Sequence, residues 1–131
     1  MLVVDTSAVV SMLVGRPPDP KLLARVVADG DLHAPYLLDV EVLHVLRRLV
    51  ASGHLTADRA ADARADFGDL VIMRYPHLPL ADRIWALRPN LGAHDATFVA
   101  LSEALGVPLV TCDARLAAAP GHQARVELYG G

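Results

Sequence analysis

The chain has 131 residues, and no Pro/Gly/Ser-rich linker or charge block divides it, so residues 1–131 read as a single domain. A formal net charge of −3 excludes a broadly basic nucleic-acid binder and leaves any RNA or DNA contact to local patches. The single cysteine, Cys112, excludes an internal disulfide and a Cys-rich zinc site. No window approaches the ~18 unbroken apolar residues of a membrane span, and the start MLVVDTSAVV lacks the basic region of a signal peptide. A cytoplasmic protein without membrane association is expected. Hydrophobic residues make up 53% of the chain and mean hydropathy is +0.36, so part of the apolar surface is expected to be buried against another chain.

In chain order, LVV (2 to 4) is a short apolar strand, followed by the turn DTS and a helix over SAVVSMLV. PPDP (17 to 20) breaks the chain, KLLARVVADG is a helix ending at Gly30, and LHAP is a short strand. YLLDVEVLHVLRRLVASG places Leu38, Val42, Val45, Leu46 and Leu49 on one helical stripe and stops at Gly53. TADRAADARADFGDL opens with a Thr cap and forms a polar-faced helix. VIMRY is a strand, LADRIWALR a helix closed by Pro89, HDATFVALSEALG a helix, PLVTC a strand, ARLAAAPG a short helix and ARVELY a last strand. This alternation predicts an α/β fold with a mainly parallel sheet.

Ligands of such sheets sit outside the carboxyl ends of the strands, where strand order reverses. Asp5 ends the first strand, Asp113 lies just past PLVTC, and Asp95 sits in the first turn of its helix, so the three can converge. Taken singly, each has a structural reading: Asp5 and Asp113 cap the helices that follow them, and Asp95 complements the positive end of its helix. Gathered together they repel, and such a site is costly without a cation. A fourth acid comes from the helix 37–50, where Glu41 and Asp39 occupy opposite borders of the apolar stripe. Periodicity does not choose between them, and both can be solvated acids, with Glu41 offset by Arg48.

DTSA after an apolar strand, the glutamate in HAPYLLDVEVLHVLRR, the block AHDATFVALSEALGVPLVTCD and the short helix ARLAAA together resemble a PIN-domain protein over nearly the whole chain. Within that superfamily, the compact length is similar to the VapC-like toxins of type II toxin-antitoxin pairs. The resemblance implies a three-layer α/β/α PIN-like fold with a mainly parallel sheet of about five strands. It implies a catalytic, metal-holding quartet of Asp5, Glu41, Asp95 and Asp113, and so selects Glu41 over Asp39. It also implies supporting hydroxyls at Thr111 and at Thr6 or Ser7. His94 departs from the family pattern, which often has a tyrosine or a small residue there.

A carboxylate cluster without His or Cys suits Mg²⁺ or Mn²⁺ rather than zinc, and no HExxH motif is present. PIN relatives are endoribonucleases, which implies metal-assisted cleavage of RNA to 3′-hydroxyl and 5′-phosphate ends. Arg16, Arg48 and Arg115 are the candidate phosphate contacts. The resemblance further implies a homodimer and a VapB-like antitoxin, whose helix is expected between the early helices, against Val9, Val10, Leu13 and the helix 37–50. The alternative is a catalytically idle PIN-like module that binds a cation, RNA or a protein. GxSxG, GxxxxGK[ST] and GxGxxG motifs are absent, Cys112 reads as a small structural thiol, and Ser7 stands where a haloacid-dehalogenase phosphatase needs a second aspartate.

Overall fold

The computed structural model describes residues 1–130. Five strands, β1 (Leu2–Val4), β2 (Leu32–Pro35), β3 (Ile72–Tyr75), β4 (Leu109–Thr111) and β5 (Val126–Leu128), form one sheet in the order β3-β2-β1-β4-β5. Every pairing is parallel, with Val3 opposite both His33 and Leu109, and Val4 opposite Val110. The chain runs outward from β1 through β2 to β3 and then returns across the sheet to β4 and β5. The reversal of strand order therefore falls between β1 and β4.

The helices are α1 (Thr6–Val14), α2 (Pro20–Asp29), α3 (Leu37–Ala51), α4 (Ala57–Asp69), α5 (Ala81–Ala86), α6 (Ala93–Leu105) and α7 (Ala114–Ala118). Right-handed crossovers put α1 to α4 on one face of the sheet and α5 to α7 on the other, giving three layers. Local chemistry sets their ends. Asp5, Asp19, Thr56 and Asp113 each accept a backbone N–H of the helix they precede. Gly106 closes α6 at φ 67°, a left-handed conformation that glycine adopts without strain.

The central strands are buried on both faces, with Leu2, Val3, Val4, Leu109 and Val110 fully inaccessible. Ala96 to Ser102 of α6 form an unbroken buried run, so α6 is a central helix. Val9 and Val10 of α1 are also buried, because α1 is sandwiched between the sheet and α3 and α4. They are therefore unavailable to the antitoxin groove expected from sequence. The helix expected over LADRIWALR is α5, which ends three residues short of Pro89 and is preceded by a 3-10 turn (Leu78–Leu80). Among the described residues, no helix is long and apolar enough to cross a membrane.

Candidate active site

Adjacency of β1 and β4 delivers two acids to one place. Asp5 follows β1, and its backbone N–H donates to the Val110 carbonyl at 3.2 Å. Its carboxylate is buried and heavily used: Oδ1 accepts from the Ser7 hydroxyl at 2.7 Å and the Ala8 N–H at 2.9 Å, and Oδ2 accepts from the Thr111 hydroxyl. Thr111 in turn accepts the Asp113 N–H at 2.9 Å, and Ser7 accepts the Cys112 N–H at 2.9 Å. One hydroxyl pair thus fixes Asp5 and the β4 exit together.

Asp113 caps α7 with Oδ1 alone, accepting the N–H groups of Arg115 and Leu116. Among the described residues, its Oδ2 accepts no hydrogen bond. Asp95, in the first turn of α6, has no side-chain hydrogen bond to any described residue. Burial raises its pKa first, and the charges of Asp113 and Glu41 raise it further, while Arg115 and His94 pull it down. Burial likewise raises Asp5, against the hydrogen bonds from Thr111, Ala8 and Ser7, with Asp113 adding repulsion. Glu41 comes from α3 and is 23% exposed. Its Oε1 accepts the Thr6 hydroxyl at 2.6 Å and its Oε2 lies 3.5 Å from His94 Nδ1.

Asp39 is turned away from this group and held by Arg74 of β3, whose Nε and Nη2 reach it at 3.0 and 2.8 Å. Glu41 makes no ion pair with Arg48. The two hydroxyls divide the work that sequence left open, Thr6 serving Glu41 and Ser7 serving Asp5. Of the candidate arginines, Arg115 lies within electrostatic reach of Asp95. Arg16 lies past the far end of the nine-residue α1, some ~13 Å of helix from Asp5. Arg48 is exposed two turns along α3 from Glu41. The placement of His94 against Glu41 carried no sequence signal, because it depends on α3 and α6 meeting across the sheet edge.

The donor set is all carboxylate oxygen, which fits a hard divalent cation. Asp95, Asp113 Oδ2 and one lone pair of Asp5 Oδ2 remain unshared for it. Among the described residues, no three His, Cys, Asp or Glu side chains close into a direct ligand cluster.

A family model of the PIN domain matches residues 2–121. Ribonuclease VapC1 of Mycobacterium tuberculosis is 43% identical over 127 residues, 96% of either chain. Among solved structures, VapC20 of the same organism, described as a Sarcin-Ricin loop cleaving toxin, superposes with a TM-score of 0.65 at 18% identity, covering 90% of this chain and 94% of that one. A chain of VapBC2 from Rickettsia felis, bound to a DNA fragment from its promoter, gives 0.67 at 12% identity over 98% of both chains. At those identities the two structures speak for the fold. With the family model spanning most of the sequence and a relative alike over nearly its full length, the chain belongs to the PIN-domain family, in its VapC-like ribonuclease branch.

Proposed function

We propose that the protein is a Mg²⁺- or Mn²⁺-dependent endoribonuclease, the toxin of a type II toxin-antitoxin pair acting in the cytoplasm and held in check by a VapB-like antitoxin. The observation that carries this reading is the gathering of Asp5, Glu41, Asp95 and Asp113 at the reversal of strand order, where burial and neighbouring carboxylates raise Asp95 and Asp5 and a cation would offset the repulsion. A bound divalent ion supplies Lewis acidity there, making a water acidic enough to attack phosphorus at neutral pH and offsetting charge on the phosphate. Asp95 and Asp113 offer unshared oxygens to such an ion. Asp5 is aimed by Ser7 and Thr111, and Glu41 by Thr6. Arg115 stands beside the acids to hold the RNA backbone. Cleavage by water leaves 5′-phosphate and 3′-hydroxyl ends.

Expression of the chain alone is expected to arrest bacterial growth, and co-expression of its partner to relieve the arrest. Glu41→Gln abolishes the arrest, since the amide loses the anionic oxygen beside Asp95. Asp39→Asn preserves it, because that acid serves only a partly exposed pair with Arg74, worth ~0–1 kcal/mol of stability. Equal growth with and without the partner contradicts the toxin role. Arrest that survives Glu41→Gln contradicts the assignment of the fourth acid.

The apolar excess has a place in the fold. Tyr36, Leu78 and the 68% exposed Trp85 stand around an open hollow of about 630 Å³ that Pro76, Ala81 and Ile84 also line, and Val40 and Leu43 of α3 are exposed as well. We assign this face to a second copy of the chain, because it combines projecting rings with a hollow able to receive them, a self-complementary pairing. The chain is expected to elute at twice its 14.0 kDa mass, and Trp85→Glu to elute as a monomer with an unchanged circular dichroism spectrum. A monomeric wild type overturns the assignment.

A further inference from the structure

Arg25, Arg74 and Arg83 are each tied to a carboxylate of the fold, Glu127, Asp39 and Glu103 in turn. Arg48 is exposed and makes no ion pair with any described residue. No acid stands between Glu41 and Asp58 in the chain, so the second half of α3 carries Arg47 and Arg48 with no opposite charge of its own to hold them.

Position on the helix separates the two. Arg48 follows Glu41 by seven residues, about 20° short of two full turns, so it leaves α3 from the same face, ~10 Å further along the axis. Arg47 is turned about 120° from Glu41, onto the exposed apolar stripe of Val40 and Leu43. The Glu41 end of this face is the acidic site, where the Thr6 hydroxyl reaches Glu41 at 2.6 Å. α1 begins at that hydrogen bond, and both helices follow strands of one parallel sheet, so they run the same way. Arg16, exposed just past the end of α1, therefore stands towards the same end as Arg48.

A polyanion is the partner this face fits. The net charge of −3 and the acidic site both repel RNA, so a strand needs cations beyond the acids as well as beside them. Arg115 serves only the phosphate next to the acids. A stacked strand carries a phosphate every ~3.4 Å, so ~10 Å along α3 spans about three nucleotides. Guanidinium is the planar fork that matches a phosphate, and one without a carboxylate partner breaks no ion pair to bind it.

We infer that the RNA strand leaves the acidic site along the Glu41 face of α3, and that Arg48, with Arg16 beyond it, binds the backbone about three nucleotides from the cut. The inference rests on the endoribonuclease reading above. Neither arginine touches the reacting atoms: they hold the strand, and the acids do the chemistry.

The test uses an oligoribonucleotide spanning a mapped cut and shortened one nucleotide at a time from each end. The wild type, Arg48→Ala, Arg16→Ala and Arg64→Ala are compared with Mn²⁺ over a range of potassium chloride. Arg64 is an exposed arginine of α4 whose replacement changes the net charge equally. On the full strand, Arg48→Ala is expected to raise KM about fivefold with kcat unchanged, the worth of one surface contact to a phosphate. It also flattens the fall of log kcat/KM with log salt by ~0.7, the slope of one phosphate contact on a single strand. Arg16→Ala does both to a smaller degree, and Arg64→Ala keeps the wild-type values. Trimming one end to fewer than about three nucleotides costs the wild type the same fivefold and costs Arg48→Ala nothing more. Melting temperatures stay with the wild type, since exposed side chains are changed.

An Arg48→Ala chain with the wild-type KM and salt slope overturns the inference. An equal effect of Arg64→Ala reduces it to net charge and overturns it too. A loss that persists on the shortest strands places Arg48 at the cut, against the inferred path. If Arg48→Ala cuts like the wild type but its growth arrest is no longer relieved by the partner protein, the arginine belongs to the antitoxin contact and the inference falls. No cleavage by the wild type overturns the endoribonuclease reading and the inference with it.

Discussion

Asparagine in place of Asp95 is expected to lower RNA cleavage by roughly a thousandfold or more, about 4 kcal/mol of transition-state stabilisation. The same change is expected to make the metal-free protein more stable at neutral pH. Burial, then Asp113 and Glu41, raise the Asp95 pKa above its ordinary value of 3.8. An acid with a raised folded value contributes its stability below the unfolded value and loses it as pH rises through the folded one. At neutral pH the ionised Asp95 is therefore a cost that a neutral amide removes. The gain in melting temperature should fade as the pH falls through the raised carboxyl value. Mn²⁺ should stabilise the wild type by mass action and leave Asp95→Asn where it was. Asp5 is raised in the same direction but is a poorer probe, because its oxygens accept three hydrogen bonds that an amide cannot all keep. A variant that cleaves at the wild-type rate removes Asp95 from the site. One that loses activity and melts lower has lost its fold instead.

Thr111→Val carries the second large effect, and here stability falls. Thr111 is fully buried, donates to Asp5 and accepts the Asp113 N–H. Valine has the right shape and leaves both partners without it. Each unsatisfied buried group costs ~1–3 kcal/mol, so the loss should be on the order of 2–4 kcal/mol in a denaturant melt. Cleavage should fall as well, since two acids lose the hydroxyl that aims them. Thr111→Ser keeps the hydroxyl and should retain most of the activity. A Thr111→Val protein as stable and active as the wild type would show that Ser7 alone holds the β1–β4 junction.

Strand and helix order was legible because its signals are local. The Thr56 cap, the glycines at 30 and 106, and the β-branched runs of β1 and β4 each announce an end or an element within a few residues. Parallel topology then predicts that Asp5 and Asp113 share an edge, which the β1–β4 pairing provides. What stayed hidden was long-range. Glu41 and Asp39 sit at equivalent borders of one stripe, and their surroundings differ only through Arg74, 35 residues away, and through Thr6 and His94. Val9 and Val10 read as an exposed apolar face because helical periodicity counts one buried side. α1 has two, the sheet beneath and the helices above. The 3-10 turn ahead of α5 carried no signal of its own, because Pro79 is equally compatible with the first turn of a helix.

Water-driven cleavage of RNA under a metal held by these acids fixes the chemistry of the fragment ends. The direct measurement is end-group analysis of fragments from a mixed bacterial RNA pool. The chain, purified free of any partner, is incubated with Mg²⁺, with Mn²⁺ or with chelator. Discrete fragments with 5′-phosphate and 3′-hydroxyl ends, formed with either metal and absent under chelation, are the predicted result. Fragments that persist in chelator, or that end in a 2′,3′-cyclic phosphate, would contradict it. A folded chain that binds Mn²⁺ and cuts nothing would establish the idle binding module in its place.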